Sequence, residues 1–265
     1  MARRVLISGA SSGLGLALAH HYLAQGAKVA VLARRPDLLQ SLLQQFPQQV
    51  YCYPLDICDG PAMQAAAQDF IARVGIPDIV IANAGVSVGT LTEYAEDIDA
   101  FQQVMNINVL GAVKTFQPFV AAMRKAALSP SPARGRGQRF TLVGIASVAG
   151  LRGLPGAGAY SASKAALISY LESLRVELHG SGVRVVTICP GYIKTAMTDV
   201  NPYSMPFILD ADVAARRIAR VIESGKSFAV VPWQMAMVGY VLKLLPNWLY
   251  DRLFAHAPRK PRRLI

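Results

Sequence analysis

The sequence predicts an α/β chain: a doubly wound parallel sheet of about seven strands with helices on both faces. Three observations predict it. Short β-branched runs alternate with longer helical patterns along most of the 265 residues. The strand runs are almost continuously apolar, as strands covered on both faces require. The composition, 53% hydrophobic and 16% charged, furnishes a large core and argues against global disorder.

The elements follow in order. "RVLISGA" (4–10) reads as a strand running into glycine, and 13–26 as a helix that Gly26 closes. "KVAVLAR" (28–34) is the second strand, and 36–46 an amphipathic helix opened by proline. Residues 50–56 form the third strand, 61–75 the third helix and 78–85 the fourth strand. A helical zone covers 97–127. "RFTLVGIAS" (139–147) is the fifth strand, 159–180 a helix, 183–191 the sixth strand, 211–225 a helix and 227–232 a short seventh strand. "SPSPARGRG" (129–137) reads as a surface loop, longer than most such connections. No internal repeat or linker divides the chain. Residues 1–232 read as the body of one domain, and 233–265 as an apolar helical extension with a basic tail.

The net charge of +11 is concentrated in part in "ARGRGQR" (133–139) and "RKPRRLI" (259–265). It marks either solvated loops or attraction to an anion: a phosphorylated cofactor or an acidic lipid surface. Nucleic acid is set aside, because no basic helix, zinc pattern or RNA-binding signature accompanies the charge. Cys52, Cys58 and Cys189 read as free thiols of a reducing, cytoplasmic compartment. Neither they nor the histidines have metal-ligand spacing, and no metal is expected. "MARRVLISGA" reads as lacking a leader, and "WQMAMVGYVLKLL" falls short of the roughly 18 residues that span a bilayer.

Two motifs carry chemistry. The first strand runs into Ser8-Gly9-Ala10-Ser11-Ser12-Gly13-Leu14-Gly15. Glycine lets the backbone turn tightly and approach a ligand, and a helix N-terminus offers unpaired N–H groups to phosphate. A glycine cluster between a strand and a helix, opening a βαβ unit, is the setting of a dinucleotide site. In "YSASKAAL" (160–167), Tyr160 and Lys164 are spaced i, i+4 and share a helix face. An ammonium near a phenol favours the phenolate and tunes it for general acid–base work. Such pairs are common on helix surfaces. Ser147, at the end of the fifth strand and thirteen residues before Tyr160, raises this one above them: the separation resembles that of the classical short-chain dehydrogenase/reductase family, and the resemblance implies a hydroxyl that would hold a substrate carbonyl oxygen while Tyr160 donates its proton.

In the Gly9-x3-Gly13-x-Gly15 spacing, and in the order of its motifs, the chain resembles the short-chain dehydrogenase/reductase family from about residue 3 to about 232. The resemblance implies a Rossmann-type fold and the catalytic tetrad Asn108, Ser147, Tyr160 and Lys164. Asn108, in "NINVLG", would anchor a water leading to the lysine, with Asn106 a competing candidate. Lys164 would also hold the nicotinamide ribose. Gly9, Ser11, Ser12, Gly13, Leu14 and Gly15 would cradle the cofactor, and Asp56, with Ile57 beside it, would flank the adenine. "ANAG" (82–85) matches the family's Asn-Asn-Ala-Gly, with Ala82 replacing the first asparagine; Asn83, Ala84 and Gly85 would line the cofactor pocket. In "PGYIKT", Pro190, Gly191 and Ile193 would border the nicotinamide, and Thr195 would reach its carboxamide or the pyrophosphate. The implied reaction is hydride transfer between nicotinamide and a carbonyl or alcohol substrate. Family members are often oligomers, so a homodimer or homotetramer is expected.

The second strand ends "VLARRPD", with Ala33 where an NAD-binding acid would stand. Arginine grips a 2′-phosphate with charge-assisted bonds. The expectation is NADP(H), with Arg34 first and Arg35 second; the alternative is two solvated arginines.

Residues 196–212 read as a lid whose Met197, Tyr203, Met205, Phe207 and Ile208 either face a hydrophobic substrate or cover the core. For 233–258 three roles stand: packing on a partner subunit, walling the substrate mouth, or lying on a membrane with the basic tail at the headgroups. The extension and Arg34 also resemble 3-ketosphinganine reductases and other lipid-ketone reductases. An epimerase or dehydratase of the same family, and a non-catalytic NADP(H)-sensing regulator, are rival readings.

Overall fold

The structure, a computed structural model, describes residues 2–128 and 140–262, the side chain of Leu38 excepted. The basic stretch 133–139 and the loop expected at 129–137 lie outside the described residues, as does 263–265 of the tail.

The chain begins β1 (Arg4–Ser8), α1 (Gly13–Ala24), β2 (Lys28–Ala33), α2 (Asp37–Gln45), β3 (Val50–Pro54), α3 (Gly60–Arg73) and β4 (Ile79–Ala82). The zone expected to be one helix is broken. α4 (Asp97–Met105) passes through a π-helical turn, Asn106–Leu110, into α5 (Gly111–Leu128). Such a turn adds a residue to the helix and re-aims its side chains, which a 3.6-residue pattern does not register. There follow β5 (Phe140–Ile145), α6 (Gly158–Glu177), β6 (Val183–Pro190), β7 (Ile193–Lys194), α7 (Ala196–Asp199), β8 (Leu209–Asp210), α8 (Ala211–Ser224), β9 (Phe228–Val231), α9 (Trp233–Leu244) and α10 (Asn247–Phe254).

Seven strands form one parallel sheet in the order β3-β2-β1-β4-β5-β6-β9. Successive residues of a strand point to opposite faces. Val5, Ile7, Val29 and Val31 therefore enter one core with Leu18 of α1, Leu42 of α2 and Ile218 of α8. Leu6, Ala30, Leu32 and Val80 enter the other with Phe70 of α3, Phe116 of α5 and Leu167 of α6. Burial on both faces is the reason the strands read as unbroken apolar runs. Two short segments absent from the sequence reading, β7 and β8, pair with each other outside the main sheet. At two residues each they are too short to show an alternation.

The strand order reverses between β1 and β4, so the connections after them diverge and leave a crevice at their carboxyl ends. Beyond β9, Pro246 separates α9 from α10, as its lack of an N–H dictates. Arg152 fastens both: Nη1 donates to Leu242 O and Leu245 O, each at 2.7 Å, and the guanidinium lies 4.2 Å from the Tyr250 ring centroid. The chain then turns back over the crevice, where Gly89 N donates to Pro261 O at 3.1 Å.

Candidate active site

The glycine loop opens the site. Gly9 takes φ +69° and Gly13 φ +55°, which glycine adopts without strain. A Cβ on Gly9 would stand 2.7 Å from Ala84 Cα, and one on Gly13 2.9 Å from Thr195 Cγ2. Asn83 braces the turn: Nδ2 donates to Ser8 O at 3.0 Å and Gly9 O at 3.2 Å. Ser8 Oγ accepts from Asn83 N and Ala84 N. Ser12 precedes α1 without capping it by its side chain, and Gly13, Leu14 and Gly15 of the first turn line the crevice.

A cavity of about 610 Å³ runs from this loop along the ends of β1, β4, β5 and β6. Gly9, Ser11, Ser12, Gly13, Leu14 and Gly15 line it, as do Asn83, Ala84 and Gly85, and Pro190, Gly191, Ile193 and Thr195. Asp56 and Ile57 border it near Arg34 and Arg35. The Asp56 carboxylate also accepts from Cys58 N at 2.8 Å, which holds its turn. Arg34 and Arg35 are exposed, and among the described residues no carboxylate pairs with either. Backbone amides at one helix N-terminus and glycines that leave no room for a Cβ fit the phosphates of a dinucleotide.

At the other end Ser147, Tyr160 and Lys164 converge. Ser147 follows β5, and its Oγ accepts from Ala149 N at 3.1 Å. Tyr160 and Lys164 share one face of α6. Lys164 Nζ donates to Ile145 O at 2.9 Å and lies 5.7 Å from the Tyr160 ring centroid. Burial lowers its pKa to about 8. The expectation that Lys164 lowers the Tyr160 pKa is not met in this protein. Burial pushes the Tyr160 phenol up, and the opposing influence is its hydrogen bond with Ser147. The reason is geometric: the ammonium is aimed at a β5 carbonyl, not at the phenol oxygen. Beneath them Cys189 is fully buried, and its thiol is pushed up to about 12.

Asn108 sits in the π turn and is buried. Oδ1 accepts from Val86 N at 2.8 Å, and Nδ2 donates to Val86 O at 2.9 Å and Ser163 Oγ at 2.9 Å. Its side chain thereby fixes the strand-end loop that carries Gly85, at which a Cβ would stand 3.4 Å from Lys164 Nζ. Of the lid residues, Met197 and Tyr203 line the cavity, with Asn201 beside them. Met205, Phe207 and Ile208 do not, and the last two are exposed. Tyr192, inside the "PGYIKT" motif but not singled out in it, meets Tyr203 edge-on at 6.4 Å. Among the described residues no group of three or more His, Cys, Asp or Glu is placed to hold a metal ion.

The short chain dehydrogenase family model matches residues 3–203. This chain belongs to that family. It is 38% identical over 252 residues to an uncharacterized oxidoreductase of Myxococcus xanthus, covering 94% of this chain and 95% of the relative. It is 32% identical over 222 residues to the 2-dehydro-3-deoxy-L-rhamnonate dehydrogenase (NAD(+)) of a Sphingomonas species, covering 84% of each. A short chain dehydrogenase from Burkholderia cenocepacia, solved in complex with NADP, superposes with a TM-score of 0.79 at 24% identity, covering 95% of this chain and 97% of that one. The protein is therefore an oxidoreductase whose family works on CH–OH and C=O groups with a nicotinamide cofactor.

In this short-chain dehydrogenase none of residues 233–258 lines the cavity, whereas Lys260 does. Lys260 Nζ donates to Ser87 Oγ at 2.9 Å and Met197 O at 3.3 Å. The sequence reading placed the basic tail at solvent or lipid headgroups. Nothing local marks Lys260, because its position depends on how the chain folds back after α10. Among the described residues no helix is long and apolar enough to cross a membrane.

Proposed function

We propose that the protein is an NADP(H)-dependent carbonyl reductase, or alcohol dehydrogenase in reverse, whose general acid or base is Tyr160. One observation carries the reading: a single cleft has Ser147, Tyr160 and Lys164 at one end and, at the other, Arg34 and Arg35, which pair with no carboxylate among the described residues. The reduced nicotinamide, when bound, supplies the hydride. The chain's own residues handle the oxygen. Ser147 Oγ donates to the carbonyl oxygen and polarises it. As a C–H bond forms at the carbonyl carbon, the π electrons pass to oxygen, which takes the Tyr160 proton. Tyr160 carries the proton that this direction needs, as a phenol does at neutral pH. Lys164 holds the ribose and supplies positive charge nearby, and Asn108 keeps the Val86 loop in register beneath it. Arg34, with Arg35 second, grips the 2′-phosphate.

Met197, Tyr192, Tyr203 and Leu154 make the substrate end largely apolar, which suits a hydrophobic carbonyl compound. Residues 1–232 act as the catalytic unit, with 196–212 its lid, in a reducing cytoplasmic compartment where the thiols stay free.

The extension supports a separate reading of assembly. Trp233, Met237, Tyr240 and Leu244 recur at three- and four-residue spacing on α9, all exposed, and Trp248 of α10 is exposed as well. We read this face as the contact with a second copy, because α9 carries one cation, Lys243, whereas helices that lie on membranes carry a strongly charged polar face. Sedimentation at graded concentration tests this. A monomer that pellets with anionic vesicles would instead favour a lipid-ketone reductase.

A screen of ketones and aldehydes of graded chain length, followed at the nicotinamide absorbance band with NADPH and NADH, tests the main reading. Preference for NADH, or no turnover of any carbonyl compound, would reject it.

A further inference from the structure

We infer that Lys260, carried into the cavity by the C-terminal strap, is the recognition group for a carboxylate on the substrate, so that this protein's substrates are apolar oxo acids or hydroxy acids. The inference rests on the reading of the cavity as an oxidoreductase site and names the substrate class of that site.

Three observations carry it. First, Lys260 is half-buried on the cavity wall and has no carboxylate partner among the described residues. An ammonium has three N–H donors, and the structure uses two, on the Ser87 hydroxyl and the Met197 carbonyl. One donor and the whole charge are left for the cavity. Second, the placement is built. The strap is held on both sides of Lys260: Arg259 packs on Gly156, and Arg262 pairs with Asp97 and Glu96 and stacks on Tyr94. Gly89, against which a Cβ would clash with the Lys260 backbone, admits the chain at that point. Third, Lys260 belongs to the reacting end. Its anchor Ser87 stands two residues past Gly85, which faces Lys164, whereas Arg34 and Arg35 stand at the far end beside Asp56 and Ile57.

The ligand chemistry follows. Apart from Lys164, which donates to Ile145 O, Lys260 is the one cation lining this end among the described residues. A single ammonium with a neighbouring hydroxyl matches a monoanion such as a carboxylate; a phosphate dianion is ordinarily met by several cations or by guanidinium. The cavity wall keeps water from much of this charge, and that burial lowers the Lys260 pKa to about 8. A charged bond made there is worth more than one made at the surface.

The test compares medium-chain 2-, 3- and 4-oxo carboxylic acids with their methyl esters as paired substrates, using NADPH and the full chain. The expected result is a wild-type preference for at least one acid over its ester. The acid-to-ester ratio of kcat/KM should fall at least tenfold in Lys260→Met, through KM, and recover partly in Lys260→Arg. The ratio should also fall as pH rises through about 8. Tyr160, Tyr192 and Tyr203 are pushed up, and Lys164, itself near 8, also favours an anion, so the slope is assigned to Lys260 by its flattening in Lys260→Met; a slope unchanged in that variant would belong to Lys164 and count against the inference. Esters preferred throughout, or a ratio unmoved by Lys260→Met, would overturn the inference, as would weakened NADPH binding with the ratio intact, which would hand Lys260 to the cofactor. Binding is read separately, by titrating oxo acids into the NADPH complex and following nicotinamide fluorescence. Lys260-dependent binding without turnover would keep this inference and remove the catalytic one. Turnover of neutral ketones without Lys260 dependence would do the reverse.

Discussion

Arg262 clasps Asp97 across 165 residues of sequence, Nε donating to Oδ2 at 2.9 Å and Nη2 to Oδ1 at 3.0 Å. The guanidinium also lies 3.4 Å from the Tyr94 ring centroid, so the strap is fixed at Arg262 to the start of α4. Arg262→Ala should free the strap and open the bond after Arg259 to trypsin at least tenfold faster than in the parent protein. The Arg262 hydrogen bonds, then the Leu91 amide, hold the Asp97 carboxyl below the usual carboxylate range. A depressed carboxylate pKa adds stability above its unfolded value and loses it as pH falls through the folded one. The clasp should therefore hold from neutral pH through the ordinary carboxylate range and release only below it, read as tail cleavage by an acid-tolerant protease.

Tyr160→Phe removes the proton donor and keeps the ring. Turnover should fall by about 10² to 10⁴ while NADPH still binds, read by stopped-flow absorbance and fluorescence titration. A regulator without chemistry would show no rate to lose.

Arg34→Ala should raise KM for NADPH by roughly 10- to 100-fold, the range of one charged hydrogen bond, and leave NADH much less affected. Equal effects on both coenzymes would remove Arg34 from the 2′-phosphate. Arg35→Ala should show the same pattern more weakly.

Burial holds Lys164 at about 8, so its charge is present below that pH and lost above it. NADPH affinity should weaken as pH rises through about 8 in the parent protein, and the slope should flatten in Lys164→Met. Lys260 lies at a similar value, so retention of the slope in Lys260→Met would assign it to Lys164.

Gly9→Ala would place a Cβ 2.7 Å from Ala84 Cα at φ +69°. The left-handed conformation alone costs about 1–2 kcal/mol, and the contact adds to it. A lower melting temperature together with lost NADPH binding should result, since Gly9 shapes both the turn and the cradle.

The chain's pattern determined what is local. Alternation of apolar runs with helical stripes places the seven sheet strands, because period and burial are properties of a few neighbouring residues. The i, i+4 spacing puts Tyr160 and Lys164 on one helix face, and glycines after the first strand mark the turn. Tertiary structure decided the rest. The π turn commits Asn108 to Val86 and Ser163, because only the finished fold sets that loop against it. Tyr160 is pushed up rather than down, because desolvation depends on what covers a group and Lys164 is drawn toward Ile145 O. Lys260 comes from a tail that reads as solvated charge. It enters the cavity because Arg262, clasping a carboxylate 165 residues away in sequence, draws the chain back over the cleft, and no local pattern records such a contact.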